Sequence, residues 1–169
     1  MSHDRSGKQS LGGCEAVTGG EILQFTSQRA PQCRWVGVRQ LIEDALRSFA
    51  AGLAAQHICV KLDVPVGELA WVDREMLHRT VTSLAQRALD GMRQGGDFVV
   101  TSYSFPDEFE LEIADSGPGL SEAAGADLAA VRHVVSMHGG SFLARNCPEG
   151  GVAFMLKFPF PRRALEAAA

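Results

Sequence analysis

The sequence lacks any apolar run long enough to cross a bilayer. Arg, Asp, Glu or Lys interrupts every hydrophobic stretch, so no membrane span is expected. It also lacks a strong excess of charge. With 16 basic and 20 acidic residues and a formal net charge of -4, the chain has no global attraction for nucleic acid or for an anionic membrane. Cysteine is sparse: Cys14, Cys33, Cys59 and Cys147 stand 19, 26 and 88 residues apart, a spacing that matches no metal pattern. The five histidines are scattered, with no second ligand at metal spacing. No apolar signal core opens the chain; Met1 to Gly13 is polar and glycine-bearing. What is present is a 169-residue chain with 46% apolar side chains, enough for one domain with its own core. Such a chain folds without disulfides, so free thiols and a cytoplasmic setting are expected.

Hydrophobic periodicity divides the chain into elements. Residues 1–20 read as a flexible N-terminal arm, and Glu21 to Arg29 as a short helix that ends before Pro31. Trp35 to Val38 reads as an edge strand. Val38 to His57 reads as one helix, because Leu41, Ile42, Ala45, Leu46, Phe49 and Leu53 recur at three- and four-residue spacing. The period then changes to two: Cys59 to Val64 alternates and stops at Pro65, and Leu69 to Val72 forms a shorter strand. Asp73 is placed to cap a helix from Arg74 to about Met92, whose buried stripe is Leu77, Val81, Leu84 and Ala88. Phe98 to Phe105 and Glu108 to Ala114 form a hairpin around Pro106 and Asp107. A glycine-rich loop, Asp115-Ser116-Gly117-Pro118-Gly119, follows. Asp127 to His138 reads as a third helix ended by Gly139-Gly140. Strands Ser141 to Arg145 and Val152 to Phe158 complete a two-layer α/β sandwich, three helices on one mixed, mostly antiparallel sheet. Residues 162–169 form an alanine-rich tail.

This order, with Asp-Ser-Gly-Pro-Gly at a strand end, resembles the Bergerat fold, the ATPase domain of histidine kinases and type II topoisomerases. The resemblance covers Trp35 to Pro161 and favours the histidine-kinase branch. Leu41 to Leu46 resembles the opening helix of that domain. Asp73-Arg74-Glu75-Met76-Leu77 resembles the start of the helix that carries a metal-binding asparagine. Glu112 to Gly119 resembles the first glycine box. Val131 to Gly140, ending in His-Gly-Gly, resembles the helix and turn after the second, and Gly150 to Phe154 the last strand. Ile22 to Thr26 resembles the end of a kinase dimerisation helix, whose remainder is absent. His3, in Ser2-His3-Asp4-Arg5, only faintly echoes a phospho-accepting motif and reads as part of the arm.

The resemblance makes Asp115 the carboxylate that reads adenine, and Gly117 and Gly119 the residues that let backbone approach the base. Three departures accompany it. The metal-binding asparagine aligns with Arg87, which offers only donors and a fixed positive charge. The second glycine box aligns with Ala123, Gly125 and Asp127, so a carboxylate stands where a phosphate is expected, and Asp127 reads instead as a helix N-cap. Only Leu120 to Ala124 separates Gly119 from Gly125, too short a link for the mobile lid that closes over a triphosphate. Arg87 is expected near the site mouth, bridging to Asp115 or Asp127. His138, near a helix C-terminus, reads as interacting with the helix dipole or capping carbonyls, and Trp35 and Trp71 as packing at the edge of the core.

The candidate cofactor-binding residues are therefore Asp115, Gly117, Gly119, Arg87 and Gly125, with no catalytic residue and no metal ligand. They imply at most weak binding of ATP or ADP, without Mg²⁺. The expected function is a degenerate histidine kinase-like domain in two-component signalling, regulatory or partner-binding, without autokinase activity. Its expected partner is a response regulator or another kinase. Two alternatives stand beside it: a catalytic-domain fragment of a sensor kinase that still binds ATP, and an anti-sigma-type switch on the same fold.

Overall fold

The computed structural model describes residues 29–120 and 128–161. Residues 1–28, 121–127 and 162–169 lie outside it. The readings of the N-terminal arm, His3, the helix over 21–28, Ala123, Gly125, Asp127 and the tail therefore fall outside the described residues. Within the short N-terminal unit assigned to 21–34, residues 30–33 have no helical structure, and Arg34 already begins a strand.

The chain runs β1 (Arg34–Gly37), α1 (Val38–Arg47), α2 (Ala50–Ala55), β2 (Ile58–Asp63), β3 (Leu69–Val72), α3 (Arg74–Gly91), β4 (Gly96–Ser104), β5 (Glu108–Asp115), α4 (Ala129–Met137), β6 (Ser141–Asn146) and β7 (Val152–Pro159). Five strands form the main sheet in the order β2-β4-β5-β7-β6. Only β2 and β4 pair parallel; the other neighbours are antiparallel. The result is a two-layer α/β sandwich. Alternation decides the layers. Phe109, Leu111 and Ile113 of β5 are buried, while Glu108, Glu110 and Glu112 point away from the core. Lys157 of β7 bridges Glu108 at 3.0 Å and Glu110 at 2.9 Å on that outer face.

Two expectations change. The sheet is not single: β1 and β3 pair only with each other, in register Trp35 to Trp71. Pro65 and Gly67, the latter at φ +89°, turn the chain out of the main sheet after β2. The helix expected over Val38 to His57 is two helices. At the junction Phe49 N–H bonds back to Leu46 O at 3.0 Å and Ser48 Oγ donates to Ala45 O at 3.2 Å. These three-residue reaches tighten the chain and interrupt the four-residue ladder. Periodicity persists across the break because Leu53 still reaches the core, so the pattern alone cannot reveal it.

Asp73 caps α3 as expected: its Oδ1 accepts from Glu75 N–H at 3.0 Å and Met76 N–H at 3.2 Å. The expected stripe of α3, Leu77, Val81, Leu84 and Ala88, is buried in the core. α4 ends in a left-handed Gly139 at φ +72°, with Gly140 N–H bonded to Val135 O at 3.0 Å. No helix among the described residues is long and apolar enough to cross a membrane.

Candidate functional site

The end of β5, the last turns of α3 and the loop after Asp115 meet at one place. Asp115 is the final residue of β5, and its side chain is 2% exposed. Arg87 lies on α3 one residue before the buried Ala88, so it leaves the helix at the flank of the core face. Its Nη1 donates to Asp115 Oδ2 at 2.9 Å and its Nη2 to the Gly119 carbonyl at 2.7 Å. The guanidinium also lies 5.3 Å from the ring centroid of Phe154 on β7, a cation–π contact. The other carboxylate oxygen of Asp115, Oδ1, accepts from Gly117 N–H at 2.9 Å. Burial pushes the Asp115 carboxyl above its ordinary range, against the opposing pull of the Gly117 amide and the Arg87 guanidinium.

The two glycines of the loop are needed for different reasons. Gly119 adopts φ +81°, a conformation that favours glycine. Gly117 has no such backbone, but an added Cβ would come within 2.9 Å of Asp115 Oδ1 and 3.3 Å of Met92 Cγ. Unusual dihedrals therefore account for one glycine and space for the other. Gly151 at the start of the last strand is the tightest neighbour: its Cβ would fall 1.9 Å from Asp115 O. That strand presses directly on the backbone that carries the carboxylate.

The structure brings Asp115, Gly117, Gly119 and Arg87 together; Gly125 lies outside the described residues. Three residues that sequence reasoning missed complete the arrangement. Asn146, at the end of β6, accepts from Leu120 N–H at 2.6 Å and donates to Leu120 O at 3.3 Å, pinning the chain just beyond the loop. Phe154 supplies the ring beside Arg87. Met92 packs under the loop, with Ser116 Oγ 3.5 Å from its sulfur. Their proximity to Asp115 depends on strand register, which local spacing does not encode. A cleft of about 330 Å³ opens beside the loop, lined by Gly91, Met92, Arg93, Gln94, Gly95, Ser116, Gly117 and Pro118. Neither Arg87 nor Asp115 lines it.

His138, read as a carbonyl cap, does more. Its Nδ1 lies 2.7 Å from Val134 O, and its Nε2 accepts from Asp73 N–H at 3.0 Å. It therefore ties the end of α4 to the start of α3. Trp35 and Trp71 pack edge to face at 5.5 Å, with Phe160 5.4 Å from Trp35. Cys33, Cys59 and Cys147 are free thiols. Among the described residues no three His, Cys, Asp or Glu side chains gather as a metal site.

No known family profile matches the chain. Curated proteins do. The sensor protein KdpD of Escherichia coli K12 is 26% identical over 145 residues, 74% of this chain and 16% of KdpD. The C4-dicarboxylate transport sensor protein DctS of Rhodobacter capsulatus is 24% identical over 168 residues, 86% of this chain and 25% of DctS. The chain thus spans a quarter or less of the length of these two relatives. Among solved structures, Acinetobacter baumannii histidine kinase AdeS superposes with a TM-score of 0.72 at 20% identity, covering 82% of this chain and 75% of that one. Histidine kinase ThkA, solved in complex with response regulator protein TrrA, gives 0.72 at 19% identity over 85% of this chain and 46% of that one. The chain thus has the fold of histidine kinase catalytic domains and is similar in sequence to sensor histidine kinases.

Proposed function

We propose that this domain serves two-component signalling by binding a partner, and that its nucleotide site is closed from within by Arg87. The observation that carries this reading is the pair of bonds from one guanidinium to Asp115 and to the Gly119 carbonyl. An adenine amine needs Asp115 as an acceptor, yet the Arg87 guanidinium already stands against its Oδ2. The residues present do not fit a Mg²⁺-bound triphosphate. A guanidinium has no lone pair to offer a cation and repels it. Nor does the link from Leu120 to Ala124 have the length to close over phosphates. The domain is accordingly no autokinase, and ATP or ADP binds weakly and without Mg²⁺. The ThkA complex supports a response regulator as the kind of partner.

A second reading, a sensor-kinase fragment that still binds ATP, is favoured by the retained Asp115-to-Gly117 bond and the glycine conformation at Gly119. Calorimetric titration with ATP and ADP, with and without Mg²⁺, separates the two. Weak, metal-independent heats are expected. Mg²⁺-dependent binding in the low micromolar range, or transfer of labelled γ-phosphate to a supplied kinase dimerisation domain, overturns the first reading.

A further inference from the structure

The small sheet of β1 and β3 has a buried side and an open one. Val36, Ala70 and Val72 face the core at 5%, 0% and 0% exposure. The opposite side presents Trp35 and Trp71 across one rung and Leu69 across from Gly37 on the next. Trp35 is 44% exposed and Leu69 47%. Phe160 extends this surface by packing on Trp35. At Gly37 an added Cβ would meet nothing within 4 Å, so a notch opens beside Leu69. A half-exposed surface of Trp35, Leu69 and Phe160 is costly to leave in water, although the cleft at Gly37 is itself lined by Arg39, Glu43 and Glu68.

We propose that the chain's own segment Ile22 to Phe25 docks on this platform. These residues lie outside the described ones, and the argument rests on reach and chemistry. Ile22, Leu23 and Phe25 put three large apolar side chains within four residues. The described chain enters directly beside the platform. Arg29 Nη2 bonds to Asp73 Oδ2 at 3.2 Å, and Gln32 N–H to the same oxygen at 2.8 Å. Asp73 follows Val72, which pairs with Arg34, one residue from Trp35. From Asp73 back to Trp71 is two residues, roughly 7 Å at strand rise. The four residues from Phe25 to Arg29 span up to about 14 Å. The segment thus reaches the platform with slack, and as part of the same chain it needs no second molecule.

Trp35 and Trp71 are the only tryptophans in the chain, so intrinsic fluorescence reads this surface alone. In the full chain, Phe25→Asp is expected to shift the emission to the red and to increase quenching by acrylamide, with far-UV circular dichroism unchanged. The reciprocal change on the platform, Leu69→Asp, is expected to abolish the hydrogen-exchange protection of residues 22–28. Emission and quenching unaltered by Phe25→Asp, together with unprotected amides at 22–28 in the unsubstituted chain, overturn the proposal. So does an emission that follows protein concentration equally with and without Phe25→Asp, which assigns the platform to a second copy.

Discussion

Arg87 and Asp115, 28 residues apart in sequence, share a hydrogen bond of 2.9 Å between Nη1 and Oδ2. The carboxylate side is 2% exposed and the guanidinium side 23%. The pair is therefore neither a surface ion pair nor fully enclosed, and its contact with the Gly119 carbonyl ties the loop to α3.

Replacing Arg87 with asparagine tests what this pair does. The change strands a carboxylate that lies almost wholly out of water. The expected loss of stability is about 1–3 kcal/mol, between the ~0–1 of an exposed pair and the ~3–5 of a stranded buried charge. The same change frees Asp115 Oδ2, so affinity for adenine nucleotide is expected to rise. Denaturant melts and calorimetry read the two quantities. A variant unchanged in both makes Arg87 a bystander.

The pH dependence has a definite sign. Burial raises the Asp115 carboxyl above its ordinary value, opposed by Gly117 and Arg87. A carboxyl raised in the folded state holds its proton more tightly there than in the unfolded chain. Its contribution thus favours folding at low pH and is lost as pH rises through the folded pKa. Arg87→Asn removes an opposing influence and moves that pKa further up. The stability gap between parent and variant is expected to be small near about pH 3, where Asp115 is protonated in both, and to widen towards neutrality. Thermal melts across this range check it; a gap that narrows towards neutrality contradicts the assignment.

His138 is expected to matter for stability without touching the nucleotide site. It supplies an acceptor to Asp73 N–H and a contact to Val134 O, and its ring packs edge-on to Phe158 at 5.5 Å. His138→Phe keeps a ring but removes both polar contacts, for an expected loss of about 1–2 kcal/mol. His138→Ala loses the packing as well and is expected to cost more. Urea denaturation of both variants separates the two contributions; equal losses assign the whole effect to hydrogen bonding.

The sequence by itself determined the elements and their exposed faces. Alternation in Glu108 to Asp115 dictated which side of β5 is buried, because successive side chains of a strand point oppositely. Asp73 announced the start of α3, because a carboxylate there satisfies free amides at the helix end. The order of motifs was enough to place Asp115, Gly117, Gly119 and Arg87 around one loop. Only the tertiary structure decided what those residues do to one another. Asn146, Phe154 and Gly151 come to the loop through the pairing of β5, β6 and β7, and no local pattern states a register. The separation of β1 and β3 from the main sheet, and the break between α1 and α2, were hidden for the same reason. An apolar side chain at the right spacing reports that it is buried, but what it is buried against depends on packing between segments far apart in sequence.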